Sequence, residues 1–258
     1  MSLAESLVRP KTEPTYEFAQ KRQLRDLEGP PELPLTLSLN DTAMVTLLAT
    51  PHELESLALG HAFTAGWIDR ADEVLDLRIK RNCSGLGVEL VVAAQIAARH
   101  ARRARRQASV SSCGACGVSD PAQLTTGLEA LPGENPLPAA ALLRGVATLQ
   151  SASAQGLHSA LGLDEHGNVL QRGSDIGRHN ALDRVIGKSL RKNTRPAAVL
   201  VSSRCSLELV QKTVRAGIPT LATLSLPSPL AVSTARACSL NLVCCHRGQR
   251  LELLSGGV

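Results

Sequence analysis

Aromatic residues are nearly absent from this 258-residue sequence, in which Phe, Tyr and Trp together make up 2% of the chain. Proteins that bind nucleic acid by stacking bases need exposed aromatic rings, so the composition argues against that class. Because apolar residues still amount to 43%, Leu, Val and Ala must fill the core. This composition favours helices packed on a sheet and excludes a chain that is disordered throughout.

Long apolar runs are also missing. No run reaches the roughly 20 residues that cross a membrane, and residues 1–11 lack the apolar centre of a secretory signal. We therefore expect a cytoplasmic protein that does not bind membranes and whose cysteines are reduced. The cysteines are seven in number: Cys83, Cys113, Cys116, Cys205, Cys238, Cys244 and Cys245.

Positive charges exceed negative charges by five, and much of the excess lies in one segment. Its members are Arg99, Arg102, Arg103, Arg105 and Arg106. The segment is either a solvated basic stretch or a surface that attracts an anionic partner towards the cysteines that follow it. Nucleic-acid binding is disfavoured, because no aromatic residues alternate with these arginines and no zinc-finger pattern accompanies them.

The most informative stretch is residues 111–117, which reads Ser-Ser-Cys-Gly-Ala-Cys-Gly. It places Cys113 and Cys116 among glycines that allow a tight turn, with backbone N–H groups directed at a sulfur atom. Such donors favour the thiolate, which is the reactive form of cysteine. The residues alone leave four interpretations open: half of a zinc site, a dithiol–disulfide couple, a carrier of sulfur as a persulfide, or two buried structural cysteines.

Apolar periodicity and turn residues predict an α+β chain. We expect a flexible arm at residues 1–31, a smaller α+β domain at 32–119 that ends in the cysteine loop, and an α/β domain at 120–258. The sequence Thr50-Pro51-His52-Glu53 predicts a helix N-terminus with Thr50 as its cap and Pro51 at its first position. In the last domain, strands alternate with helices, which predicts βαβ units and a sheet covered on both faces.

The predicted elements can be given by residue number. The predicted strands are 33–39, 43–48, 74–81, 88–92, 159–163, 168–172, 197–202, 220–224, 241–246 and about 250–254. The predicted helices after the first are 93–107, 139–153, 180–192, 206–216 and 229–238.

Three polar segments follow predicted strands of the last domain, at the position where open α/β sheets bind ligands. The first has Gly177, Arg178, His179 and Asn180 at the start of a helix, which suits an anion. The alternative is a structural turn in which an aspartate and Asn180 satisfy backbone groups. The sequence has no P-loop and no dinucleotide-binding glycine motif.

The second polar segment, at residues 202–206, contains Ser203 and Arg204, and the third ends the sheet. The third comprises Cys245, His246, Arg247, Gly248, Gln249 and Arg250. Because parallel strands bring like ends to one edge of a sheet, we expect the three segments to line one pocket. Arg178, Arg247 and Arg250 are the expected phosphate contacts.

At these residues the chain resembles the formate dehydrogenase accessory sulfurtransferase family, known as the FdhD family. The matching segments are collinear: 50–60, 111–117, 177–187, 202–212, 216–219, 225–232 and 242–250. The resemblance implies a homodimeric sulfurtransferase that takes sulfur from a cysteine desulfurase as a persulfide. It further implies that this sulfur passes to the molybdenum bis(molybdopterin guanine dinucleotide) cofactor, as the formate dehydrogenase catalytic subunit requires.

The resemblance also implies roles for particular residues. The family's persulfide cysteine corresponds to Cys113, with Cys116 as its partner, and the cofactor-binding turn corresponds to residues 245–250. The implied C-terminal domain is three-layered and cytidine-deaminase-like, with the molybdenum cofactor bound as a substrate that a guanine nucleotide can replace, and with no metal ion held by the protein itself. This chain departs from the family by having Cys244 and Cys245 in place of Gly-Phe, and Ser174 in place of an acidic residue.

Two further functions stay open at this stage. One is a non-catalytic chaperone that holds the molybdenum cofactor and docks on the apoenzyme. The other is a structural zinc protein, although only one closely spaced cysteine pair of the required kind is present. Deaminase activity is disfavoured in spite of the implied fold, because the sequence contains no His-x-Glu motif to accompany a zinc-binding cysteine pair.

Overall fold

A computed structural model describes residues 30–82, 85–104, 127–152, 156–246 and 250–256. The chain is α+β, as predicted, with one sheet of four strands and another of six. Most of the N-terminal arm, the cysteine loop with Cys113 and Cys116, and the triplet Arg247, Gly248 and Gln249 lie outside the described residues, as does much of the predicted boundary between domains. Within the described ranges, no helix combines the length and the apolar character needed to span a membrane.

The first sheet has the strand order β2-β1-β4-β3. Its strands are β1 (Leu33–Leu39), β2 (Thr42–Ala49), β3 (Val74–Asn82) and β4 (Gly85–Val92), with a short 3₁₀ turn at Ala71–Glu73. Alternate leucines of β1, at positions 35, 37 and 39, point to one face and are buried there. The helices α1 (Leu54–Thr64) and α2 (Ala94–Ala104) contribute Leu57 and Ile96 to the same core.

The second sheet has the order β10-β9-β8-β7-β5-β6. Its strands are β5 (His158–Leu163), β6 (Val169–Asp175), β7 (Ala198–Val201), β8 (Thr220–Thr223), β9 (Asn241–Cys245) and β10 (Leu251–Ser255). Its helices are α3 (Ala139–Ala152), α4 (Arg178–Arg191), α5 (Leu207–Arg215) and α6 (Pro229–Ala237). One core packs α3 on one face, and another packs α4, α5 and α6 on the opposite face. The sheet is therefore covered on both sides, as predicted.

Strand direction decides where the polar segments lie. The strands β7, β8 and β9 are parallel, β5 is antiparallel to β7, and β6 is antiparallel to β5. Strands β6, β7, β8 and β9 consequently all end at one edge of the sheet, which we call the carboxyl edge. The three polar segments of the sequence follow β6, β7 and β9 at this edge, and four strand spacings separate its ends by about 19 Å.

The predicted capping of the first helix is wrong. Helix α1 begins at Leu54, and Glu53 precedes it with a left-handed backbone (φ 45°) and no side-chain cap. Thr50 instead connects the two sheets: its N–H donates to Asp175 Oδ2 at 3.2 Å, and its hydroxyl accepts from the N–H of Ile176 at 3.1 Å. Thr50 does not cap the helix because its hydroxyl accepts a hydrogen bond from the distant backbone N–H of Ile176 instead of from an N–H group of α1.

Helices α1 and α4 join the two sheets by crossing at two glycines. A Cβ atom at Gly60 would lie 1.9 Å from the carbonyl oxygen of Asp183, and one at Gly187 would lie 1.9 Å from the carbonyl oxygen of Ser56. Both contacts are with backbone atoms, which no side-chain rotation can remove. The two helices are thus closer than any side chain at these positions would permit, and Gly187, which ends the matching segment 177–187, has a packing role.

Candidate functional site

The first polar segment is partly used by the fold. Asn180 is only 7% exposed, and its side-chain amide donates to the carbonyl of Leu48 at 2.8 Å and to Asp175 Oδ1 at 2.9 Å. The N–H of Gly177 donates to the same carboxylate oxygen at 2.8 Å. The structural turn considered as an alternative is therefore present, and the amide of Asn180 is not available to a ligand. Arg178 is half-buried, and its guanidinium has no hydrogen bond or ion pair within the described residues.

His179 lies at the carboxyl edge against the start of α5. Its Nε2 is 2.6 Å from Glu208 Oε2 and 3.5 Å from the hydroxyl of Ser206, and the side chains of His179 and Glu208 are each 15% exposed. His158, at the start of β5, lies at the same edge. Burial, followed by the positive charge of Arg178, lowers the pKa of His158 below its ordinary value. A neutral imidazole therefore stands beside a cationic guanidinium at neutral pH.

The second segment offers a hydroxyl and a cation. Ser203 is 5% exposed, and its Oγ is buried without a hydrogen-bond partner in the described part of the chain. Its carbonyl accepts from the hydroxyl of Thr223 at 2.7 Å, which holds the turn after β7. Arg204 is exposed, and no described residue pairs with its guanidinium. Unsatisfied buried hydroxyls are uncommon in proteins, so Ser203 is a candidate partner for a polar group that no described residue supplies.

The third segment is described only at its ends, Cys245, His246 and Arg250. Cys245 is buried in the core beneath α3, and burial together with Cys244 raises the pKa of its thiol to about 11. Its side chain therefore cannot face a ligand. His246 donates its backbone N–H to the carbonyl of Arg250 at 2.8 Å, and its Nε2 lies 2.7 Å from Glu252. Arg250 is exposed, without an ion-pair partner among the residues described.

The cysteines of the described residues are all buried. Burial raises the pKa of Cys205 to about 12, with a smaller effect from Cys244, and burial also raises the pKa of Cys238 and Cys244 above the ordinary value. A raised pKa suppresses the thiolate that nucleophilic attack requires. Burial therefore disfavours nucleophilic attack by these four cysteines. Within the described ranges, no group of three or more His, Cys, Asp or Glu side chains could hold a metal ion.

A buried ionic cluster lies one helical turn below His179, and sequence reasoning missed it. Asp183 accepts from Lys212 Nζ at 2.7 and 2.9 Å and from the hydroxyl of Thr64 at 2.9 Å, and it lies 3.3 Å from His61 Nδ1. Burial alone would raise the pKa of Asp183, but Lys212 and His61 outweigh it and lower this pKa to about 2. The cluster joins α1 of the first sheet to α4 and α5 of the second. The sequence indicates it only through spacing. Asp183 follows His179 by four residues in α4, and Lys212 follows Glu208 by four residues in α5.

This cluster predicts a loss of stability in acid. Asp183 has a folded pKa of about 2 against an ordinary value of 3.8, so its contribution is present above 3.8 and disappears as the pH falls towards 2. The contribution is about 2 kcal/mol. Burial also lowers the pKa of His61 below 6.5, so stability begins to fall earlier, as the pH drops through 6.5.

Urea unfolding at a series of pH values checks this prediction. Asp183→Asn should be less stable at neutral pH but lose little more below about pH 4, whereas His61→Gln should remove only the loss that begins near neutrality. Parallel acid curves for the wild type and Asp183→Asn would contradict the assignment.

The basic segment is described only as far as residue 104. Arg99 lies 3.6 Å from the carboxylate of Asp69, and both side chains are more than half exposed. An exposed pair of this kind contributes little to stability, so Arg99 stays available to an anionic partner. The side chains of Arg102 and Arg103 are not described, and Arg105 and Arg106 lie outside the described residues.

Comparisons with known proteins cover nearly the whole described chain. Residues 30–257 match the model of the FdhD/NarQ family. The sulfur carrier protein FdhD of Bordetella bronchiseptica is 35% identical over 221 residues, which cover 82% of this chain and 79% of that protein. The protein of the same name from Variovorax paradoxus is 35% identical over 230 residues, covering 86% and 82%. A solved structure, of a candidate formate dehydrogenase accessory protein from Desulfotalea psychrophila, shares the fold with a TM-score of 0.66 at 23% identity, over 88% of this chain and 87% of that one.

Proposed function

This chain belongs to the FdhD/NarQ family, and from this premise we propose that it is a sulfur carrier that serves formate dehydrogenase. The match over residues 30–257, together with relatives named as sulfur carrier proteins, is the observation that supports the proposal. The proposed partners are a cysteine desulfurase, which supplies the sulfur, and the catalytic subunit of formate dehydrogenase, which benefits from it. We propose a homodimer for the assembled protein.

The proposed chemistry is persulfide exchange at Cys113. The Cys113 thiolate attacks the outer sulfur of the desulfurase persulfide, which forms a new S–S bond on Cys113. The S–S bond of the desulfurase breaks, and its cysteine leaves as a thiolate. The raised thiol pKa values of Cys205 and Cys245 support this choice, because they make these two cysteines poorer nucleophiles. Cys116 is proposed as the partner of Cys113 in the same loop.

The proposed recipient is the molybdenum bis(molybdopterin guanine dinucleotide) cofactor, bound as a substrate at the carboxyl edge. Its phosphates need cations, and Arg178, Arg204 and Arg250 have no ion-pair partner among the described residues at this edge. The unpartnered hydroxyl of Ser203 suits the same ligand. An edge about 19 Å long suits an elongated dinucleotide rather than a small anion.

A cytidine-deaminase-like fold is proposed for the second sheet and its helices. The arrangement of α3 on one face and α4, α5 and α6 on the other supports a three-layer domain of this kind. The three parallel strands β7, β8 and β9, joined through α5 and α6, support it further.

Mass spectrometry after sulfur loading tests the proposal. The purified chain is incubated with a cysteine desulfurase and cysteine, and peptide mapping is expected to find the added sulfur on Cys113. Cys113→Ala should lose both the added sulfur and the activation of formate dehydrogenase, with Cys205→Ala as the matched control that keeps both. Activation that survives in Cys113→Ala would instead favour a chaperone that only holds the cofactor. Sulfur found solely on Cys205, Cys244 or Cys245 would refute the assignment of the carrier residue.

A further inference from the structure

Two successive turns of α4 and α5 carry matching pairs of ionisable side chains. His179 and Asp183 are four residues apart on α4, as are Glu208 and Lys212 on α5, so each helix presents both of its residues on one face. Asp183 meets Lys212, and His179 meets Glu208. The first of these pairs is fully satisfied, because Asp183 has Lys212, Thr64 and His61 as partners. It has the character of a structural ion pair.

The pair at the carboxyl edge is built differently. Glu208 Oε1 is buried and has no hydrogen-bond partner in the described part of the chain, whereas its Oε2 lies 2.6 Å from His179 Nε2. Asp183 has both oxygens satisfied, whereas an unpaired buried oxygen such as Glu208 Oε1 costs free energy. The contact with His179 is thus the feature that accounts for Glu208 at this position.

The contact determines which ring nitrogen of His179 carries the proton. An ionised carboxylate only accepts hydrogen bonds, so Nε2 is the nitrogen that carries the proton when the ring is neutral. Nδ1 is then left with a lone pair, and no described residue bonds to it. Carboxylates that fix a histidine in this manner set both the tautomer and the ring orientation.

We propose that Glu208 is a positioning residue that holds His179 with Nδ1 as a hydrogen-bond acceptor for the nucleotide part of the substrate. The inference rests on the function proposed above, since it places the substrate at the carboxyl edge. As an acceptor, Nδ1 of His179 would bind an N–H or O–H group of the ligand, while the neighbouring Arg178 binds a phosphate of the same ligand. His179 thereby contributes orientation rather than charge.

Nitrogen NMR of the histidine rings and a nucleotide titration test this inference on the full chain, with guanosine diphosphate as the probe. The free wild type should show His179 protonated at Nε2. Glu208→Gln retains the shape of the side chain but can donate as well as accept, so it should populate the other tautomer and raise the Kd for guanosine diphosphate about tenfold. The urea unfolding midpoint should not change enough to explain that loss. Glu134→Gln is the control. Glu134 pairs with Arg195 at the opposite edge of the sheet, so this variant should change neither readout.

Glu208→Asp supplies a second variant in case the glutamine variant folds poorly. It retains an acceptor-only carboxylate and should restore the Nε2 tautomer. An unchanged tautomer in Glu208→Gln overturns the inference, and so does a changed tautomer with unchanged nucleotide affinity. A wild type that shows the Nε2 tautomer but binds no guanosine diphosphate overturns both this inference and the proposed substrate site. That outcome leaves sulfur loading of Cys113 standing, so the two failures can be distinguished.

Discussion

Alanine at Gly187 is expected to lower the free energy of unfolding by about 3 kcal/mol, and valine at the same position is expected to prevent folding. A Cβ atom there would lie 1.9 Å from the carbonyl oxygen of Ser56 and 2.9 Å from the backbone nitrogen of Gly60. Both are main-chain atoms of α1, so the added methyl group can be accommodated only if the two helices move apart. That movement would separate the Asp183 cluster from Thr64 and His61, which stand on α1.

The magnitude follows from two opposing effects. Alanine in a helix is favoured over glycine by about 1 kcal/mol, so without a clash the substitution would stabilise the chain. Overpacking against a rigid neighbour costs about 1–3 kcal/mol and sometimes more, and contact with backbone falls at the upper end. The net result should therefore be a clear loss, measured by urea unfolding.

Gly145 is the matched control, because it also lies inside a helix. Its nearest neighbour, at 2.7 Å from an added Cβ, is a methyl group of Leu163, and such an atom at the end of a flexible side chain can move. Gly145→Ala is therefore expected to stay within about 1 kcal/mol of the wild type, since helix propensity offsets most of the adjustment. If Gly187→Ala were as stable as Gly145→Ala, the close crossing of α1 and α4 would be contradicted.

The strands of this protein could be predicted from sequence because their signal is local. Residues 33–39 alternate apolar side chains with period two, and the observed β1 (Leu33–Leu39) has the predicted bounds. The shared edge of the three polar segments could also be anticipated, because strand direction decides where strands end. The antiparallel strands β5 and β10 did not alter this outcome, because β6 runs in the same direction as β7.

The roles of individual polar residues could not be predicted in the same way. Thr50 has the sequence context of a helix cap, but its hydroxyl and N–H are used by groups about 125 residues away. Asn180 has the context of a ligand residue, and it is held by the carbonyl of Leu48 in the other sheet. Such roles depend on which distant backbone groups need partners, and a single sequence does not record this. His179 and Glu208 illustrate the same limit, since their pairing needs two helices side by side.

Arg184→Met is expected to destabilise the protein by about 3–5 kcal/mol, which would be the largest effect of any ion pair described here. Arg184 and Asp175 are both fully buried, and Arg184 Nε donates to Asp175 Oδ2 at 3.2 Å. The same guanidinium donates to the carbonyls of Thr50, at 2.8 Å, and of His52. Methionine fills a similar volume, so the loss comes from an uncompensated buried carboxylate and two carbonyls without donors.

Two further variants separate these causes. Arg191→Met makes the same substitution on the same helix, but its partner Glu55 and the arginine itself are about half exposed, so the cost should stay below about 1 kcal/mol. Combining Arg184→Met with Asp175→Asn removes the stranded charge and should recover about 1 kcal/mol or more of the loss. Equal costs for the buried and the exposed arginine would refute this account.

The same measurement shows whether Arg184 couples the two sheets. The single tryptophan, Trp67, is buried in the core of the first sheet, so its fluorescence follows that sheet, whereas far-ultraviolet circular dichroism follows both. In the wild type the two signals should change together, because Asp175, Arg184 and the Thr50 carbonyl join the sheets across 125 residues or more of sequence. In Arg184→Met this buried network is lost, while the contacts between α1 and α4 remain. The fluorescence and dichroism transitions should therefore separate. Transitions that still coincide would mean that the crossing at Gly60 and Gly187 is sufficient to keep the two sheets a single cooperative unit.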